Sequence, residues 1–210
     1  MKTHQHRRGS GGFTLIELLA VIVILSILSV ALLATMTDVF RTSEKQNTKI
    51  LMKSVQIALA DYEHEQGDMP RSNFSSTQGT PPNLTNLGAE CLYLAICGDK
   101  GAAFGKFDDK LVNTDEDQVP KSFPGFQVPT LWEIGDHWGN PIAYFHHRDY
   151  LREDPYVTID KDSQRIDNVV RALKNPKTGN YYEPTGAQMI SAGPDGKFGT
   201  EDDIASFETK

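Results

Sequence analysis

Cysteine is nearly absent: Cys91 and Cys97 are the only two in 210 residues, too few for a disulfide framework. Six positions apart in a continuous helix, they would point to different faces, so a bridge requires the helix to end near Gly98. A bridge and a pair of free buried thiols both remain open. No histidine or further cysteine stands at ligand spacing nearby, which leaves a thiolate metal site without support. Positive charge is also short. Twenty-one Lys and Arg face 28 Asp and Glu, a net of -7, and this argues against a nucleic-acid partner held through its phosphates. The motifs HExxH, Gly-x-Ser-x-Gly and the P-loop are all missing. His137, His146, His147 and Asp149 are the nearest approach to a catalytic cluster. His146 and His147, however, adjoin on an expected strand and should point to opposite faces, unable to ligate one ion without a bulge. The chain reads as a non-enzyme.

What is present is unevenly distributed. Mean hydropathy is -0.41, yet from Phe13 to Met36 the sole ionisable side chain is Glu17. At 1.5 Å per residue this run is long enough to cross a hydrocarbon core of about 30 Å. The preceding residues 1–12 carry Lys2, Arg7 and Arg8 and no acid, which predicts a cytoplasmic N-terminus. A secretory signal peptide would need a small-x-small cleavage site after the run, for which Ser29, Ala31 and Ala34 are weak candidates. Neither that reading nor a plain signal anchor explains Glu17, because a carboxylate near a membrane helix centre costs about 2.5–3.5 kcal/mol.

The string GGFTLIELLAVIVILSIL resembles the N-terminal signal of type IV pilins and of the pseudopilins of type II secretion. The resemblance implies cleavage between Gly12 and Phe13 by a prepilin peptidase, N-methylation of Phe13, and assembly of the apolar stems into a filament. It implies that Glu17 neutralises the amino terminus of a neighbouring subunit, since an unpaired charge in a low-dielectric core is expensive. Loss of residues 1–12 would leave 18 Lys and Arg against 28 acids, a net of -10, all but Glu17 outside the stem. That suits a head in an aqueous compartment and disfavours adhesion to an acidic surface.

Residues 38–66 contain neither Gly nor Pro, so the helix should continue through them. Leu51, Val55, Ala58, Leu59 and Tyr62 fall on one helical face and should pack on the head. Gly67 and Met69-Pro70 supply the stop. Residues 67–135 read as a loop-rich insertion with one helix over Ala89–Ile96, and DDKLVNTDEDQ within it reads as a solvated acidic surface, with a second cation site there a weaker possibility. From 136 onward, a turn at Gly139-Asn140-Pro141 precedes an alternating strand at Ile142–Phe145, and PYVTI and AQMISAG are further strand candidates. A long helix followed by short strands predicts an α+β fold with an antiparallel sheet, which is also what the pilin resemblance implies. The expected organisation is a leader (1–12), a membrane and filament-core helix (13–36), an amphipathic continuation (37–66), the insertion (67–135) and a C-terminal sheet (136–210). D-x-W-G-N-P-x-x-Y resembles the corresponding segment of major pseudopilins, with Trp138 as a packing anchor.

SAGPDGKFGTEDDIASF concentrates Asp195, Glu201, Asp202 and Asp203 among glycines. Such a loop can offer a hard cation the six to eight oxygens that Ca²⁺ takes, or it can be a solvated acidic turn. It lacks EF-hand spacing. It does resemble the C-terminal calcium loop of the major pseudopilins, which implies ligation by the Ala192 carbonyl and by Asp195, Glu201 and Asp203, with Asp202 an alternative in the register. The resemblance as a whole implies a major, G-type pseudopilin. It would be a single-pass inner-membrane protein with a periplasmic head and a structural Ca²⁺, forming a homo-oligomeric filament that drives protein export. Its partners would be the prepilin peptidase, minor pseudopilins and an inner-membrane assembly platform. A type IV pilin or minor pilin, and a singly anchored periplasmic binding or metal-dependent domain, are the alternatives.

Overall fold

The computed structural model describes residues 14–74, 83–98, 103, 105–118 and 130–209, with side chains except at 31–39 and 41. The chain divides into two compact units, Met1–Ser43 and Glu44–Lys210. Helix α1 (Leu15–Gln66) contributes to both. With no Gly or Pro along its length, nothing interrupts its backbone ladder. It ends where Gly67 takes φ +80° and donates its N–H to the Glu63 carbonyl at 2.8 Å, the left-handed cap that glycine adopts without a Cβ penalty.

In the first unit the apolar side chains from Leu15 to Val30 are exposed, Leu15 at 85% and Val30 at 68%. Ser26 and Ser29 turn their hydroxyls back onto the Ile22 and Leu25 carbonyls at 2.7 and 2.8 Å, so this apolar segment satisfies its own polar groups locally.

The second unit is α+β. Its part of α1 buries Thr48, Met52, Val55, Ala58 and Leu59, with Leu51 and Tyr62 partly buried against the same core. The stripe expected from periodicity is therefore the packed face, extended by Thr48 and Met52. Helix α2 (Leu87–Cys97) is almost wholly buried. Three small antiparallel sheets complete the unit. Strands β1 (Leu111–Val112) and β2 (Glu133–Ile134) form a pair. Strands β3 (Ala143–His146), β6 (Ala187–Ser191) and β7 (Ile204–Ala205) form a three-stranded sheet in that order, with Tyr144 opposite Met189. Strands β4 (Glu153–Ile159) and β5 (Arg165–Arg171) form a hairpin.

Strand β3 is buried on both faces, and its alternation separates two cores. Tyr144 joins Met52, Val55, Leu59 and Ile96 on one side; Ala143 and Phe145 join Tyr156, Val170 and Ala89 on the other. The three expected strands correspond to β3, β4 and β6, and the expected helix at 89–96 to α2. Strand β5 had no counterpart in the sequence reading. Asn168 on its inner face and the exposed Val169 on its outer face blur its alternation, and its pairing comes from the Asp160 turn, whose Oδ1 accepts the Asp162 and Gln164 N–H groups at 2.8 and 2.9 Å. Cys91 and Cys97 are free and buried.

Candidate functional site

At the start of α1, Thr14 and Glu17 form a reciprocal cap. The Thr14 N–H and hydroxyl donate to Glu17 Oε2 at 2.8 and 2.7 Å, and the Glu17 N–H donates to Thr14 Oγ1 at 3.3 Å. This is the T-x-x-E capping box, which satisfies orphan donors of the first helical turn. Glu17 therefore has a local role that the sequence reading did not assign, although the signature was present in FTLIE. Both Thr14 donors use Oε2, so Oε1 takes no part in the cap. Gly12 and Phe13, the expected processing junction, lie outside the described residues. Among the described residues no helix is long and apolar enough to cross a membrane; Phe13 and the side chains of 31–36, on which the expected span also rests, are not among them.

The C-terminal acidic loop lies between β6 and β7. Ala192 is fully buried and precedes a 3-10 turn, Gly193–Asp195. The Asp195 N–H donates to Asp202 Oδ2 at 3.3 Å, which brings the two ends of the loop together. Asp202 also accepts from the Thr200 hydroxyl, and Asp203 Oδ2 accepts the Gly199 N–H at 2.8 Å. Asp203 Oδ1 is buried without a hydrogen-bond partner. Burial, with Asp202 and Asp195 adding repulsion, holds the Asp203 carboxyl above its usual range. Glu201 is exposed. The four acids of the loop do not bring three ligand oxygens within 4.8 Å of one another; the orphaned buried oxygen of Asp203 is the feature a cation would satisfy.

The D-x-W-G-N turn before β3 is an anchor. Asp136 Oδ1 accepts the Trp138 and Asn140 N–H groups at 2.9 and 3.0 Å, and Oδ2 accepts the Ser191 hydroxyl at 2.6 Å. The Asn140 side chain accepts the Ile159 N–H at 2.6 Å. One turn thus ties together β3, β4 and β6. Trp138 packs against the α1-facing core, the anchoring role its motif suggested. Burial pushes Asp136 up to about 6, against its hydrogen bonds from Ser191 and the turn amides.

Two side-chain clusters bring potential ligand atoms within 4.8 Å of one another among the described residues: Asp68 with His146 and His147, and Glu90 with Asp115 and Asp117. The first corrects the expectation that the adjacent histidines diverge. Strand β3 stops at His146, and His147 opens a 3-10 turn, so strand alternation ends between them and the rings lie 4.2 Å apart. Even so, His146 Nδ1 accepts the Arg148 N–H at 3.2 Å, while Nε2 faces Asp68 Oδ1 at 3.3 Å. A ring that accepts at Nδ1 carries its proton on Nε2, so Nε2 donates to Asp68. Arg148 pairs with the other Asp68 oxygen at 3.0 Å. Asp68, His146 and Arg148 thus satisfy one another, while among the described residues His147 Nδ1 is buried without a hydrogen-bond partner.

The second cluster corrects in part the expectation that DDKLVNTDEDQ (108–118) forms a solvated surface: Asp108, Asp109, Lys110, Glu116 and Gln118 are exposed, but Asp115 is partly buried and Asp117 buried. Asp117 is 9% exposed, and Glu90 and Glu133 are wholly buried. Glu90 stands in the first turn of α2, Glu133 on β2, and Asp115 and Asp117 in the loop that follows β1. Burial first, then repulsion from Asp117, Asp115 and Glu133, pushes Glu90 up to about 11; burial and Asp115 push Asp117 up to about 6. The sequence signal for Glu90 was its place in an otherwise apolar helix, LGAECLYLAIC; what it meets there required the tertiary structure.

Comparison with known proteins bears on the N-terminus. Residues 7–33 match the family model of the prokaryotic N-terminal methylation motif. No curated protein and no solved structure matches the chain. The matched segment contains the Gly12-Phe13 junction, Thr14 and Glu17, and it is the prepilin motif of type IV pilins and pseudopilins. Residues 7–33 are accordingly a prepilin-type N-terminal methylation motif.

Proposed function

We propose that this chain is a major, G-type subunit of a type II secretion pseudopilus, built to polymerise through α1 and drive protein export. The methylation motif at residues 7–33 carries the reading; the α+β head and the acidic loop between β6 and β7 support its finer part. The leader is removed between Gly12 and Phe13, and the apolar segment through Met36 anchors the subunit in the inner membrane before assembly. In the filament, Glu17 keeps Thr14 on Oε2 and meets a neighbouring subunit's amino terminus with Oε1, so a single carboxylate caps its own helix and neutralises a buried charge. The exposed apolar side chains from Leu15 to Val30 are the surface that such packing would cover.

The C-terminal loop is the proposed Ca²⁺ site, with Asp195, Asp203 and the Ala192 carbonyl as ligands and Glu201 or Asp202 completing the set. A bound ion would offset the repulsion among these carboxylates and fix the turn that positions β7. Co-expression of the full chain with a prepilin peptidase, followed by mass spectrometry of the mature N-terminus, tests the class. Cleavage before Phe13 with a methylated amine is expected; an uncleaved Met1 start refutes it. Deletion of the gene should then abolish export of folded proteins while leaving surface pili intact. The reverse outcome assigns the chain to a pilus.

A further inference from the structure

The buried acidic cluster on α2 has no part in the proposed filament contacts and lies apart from the C-terminal loop. Among the described residues, five buried carboxylate oxygens there have no hydrogen-bond partner: both of Glu90, Oδ1 of Asp115, Oδ1 of Asp117 and Oε2 of Glu133. Glu90 is 0% exposed and lies with its oxygens among those of Asp115 and Asp117. None of the four acids is in an ion pair among the described residues. Orphaned buried carboxylates are costly.

Side-chain amides around the cluster bind part of it. Asn83 Nδ2 donates to the outer oxygens, Oδ2 of Asp115 at 2.9 Å and Oδ2 of Asp117 at 3.1 Å. Asn86 Nδ2 takes Glu133 Oε1 at 2.6 Å. Asn113 clamps the backbone of Asp117 through both its amide atoms, at 2.9 and 3.2 Å. Asn83 and Asn86 thus each bind one oxygen of an acid and leave the other unpartnered. The donor set is all oxygen, with no His or Cys, the donor chemistry of a hard cation and not of zinc or copper. Glu90, Asp115 and Asp117 bring ligand oxygens within 4.8 Å of one another, and carbonyls or water would complete the shell that Ca²⁺ takes.

We propose that Glu90, Asp115 and Asp117, with the buried Glu133 adding charge beside them, form a second binding site for a divalent hard cation such as Ca²⁺, which ties the loop after β1 to α2. The competing account is proton sharing, in which Glu90 stays neutral against Asp117 and no ion enters. The full chain in detergent micelles, dialysed against Ca²⁺ and assayed for bound metal per chain, separates the two. Glu90→Gln with Asp117→Asn should bind one Ca²⁺ fewer than the parent and lose part of the calcium-induced rise in unfolding midpoint. In chelator the same variant should be at least as stable as the parent, because it removes unpaired buried charge and still folds. Asp195→Asn with Asp203→Asn should remove the other ion and leave this one in place. If only that second variant lowers the calcium count, the cluster holds protons and the proposal is overturned. If only the first does, the C-terminal loop reading fails and this one stands.

Discussion

Replacing Gly88 by alanine tests the packing that sets α2, and with it Glu90, against β3. In a helix interior Ala is favoured over Gly by about 1 kcal/mol, so propensity alone predicts stabilisation. The tertiary structure predicts the reverse. A Cβ on Gly88 would overlap the Tyr144 carbonyl oxygen and stand 2.9 Å from the Tyr156 hydroxyl. The first obstacle is backbone in a fully buried strand, and it cannot rotate away. The second is a hydroxyl that accepts the Ala89 and Tyr144 N–H groups, each at 3.2 Å. Overpacking a tight site costs about 1–3 kcal/mol, and a buried donor left unpaired costs a further ~1–3 kcal/mol. Against a gain of about 1 kcal/mol, the net loss is on the order of 1–5 kcal/mol. Thermal or urea unfolding of the full chain in detergent measures it directly. At roughly 2–4 °C per kcal/mol for a domain of this size, the midpoint should fall by about 2–20 °C. A Gly88→Ala variant as stable as the parent would refute the close approach of α2 to β3.

Three further outcomes are expected. Asp136 binds its proton more tightly folded than unfolded, so its contribution to stability falls as pH rises from about 4 through 6; Asp136→Asn keeps an acceptor for the turn amides and should flatten that part of a stability–pH profile relative to the parent. Leu59→Ala empties a site 3% exposed at the junction of α1 with the head and should cost about 2–5 kcal/mol in chemical denaturation, whereas Ile57→Ala, 59% exposed on the opposite face, should leave the midpoint nearly unchanged. Burial pushes the Cys97 thiol up to about 12 and Cys91 well above its usual range; both should resist a thiol reagent at neutral pH in the native protein and react when it is unfolded.

Where a feature depends on local pattern, the sequence was sufficient. Twenty-odd residues without a charge except Glu17, a basic leader before them and the T-x-x-E start define the methylation motif, because a peptidase and a helix terminus both read contiguous residues. The buried stripe of α1 was legible for the same reason, since a 3.6-residue period survives in any window. Three of the strands were visible as alternation, and the stop at Gly67 as turn chemistry.

What escaped was set by residues far apart in the chain. Strand β5 looks polar because it is an edge whose partner, not its composition, makes it a strand. The convergence of His146 and His147 turns on where β3 ends, a matter decided by pairing with β6. Asp115 and Asp117 read as solvent-facing because acids in a loop ordinarily are; α2 and β2 close over them only in the folded head. The sequence by itself determined the methylation motif at residues 7–33 and which face of α1 packs. The tertiary structure alone decided which carboxylates lose their water, since burial is a property of the elements that cover a residue and not of its neighbours in the chain.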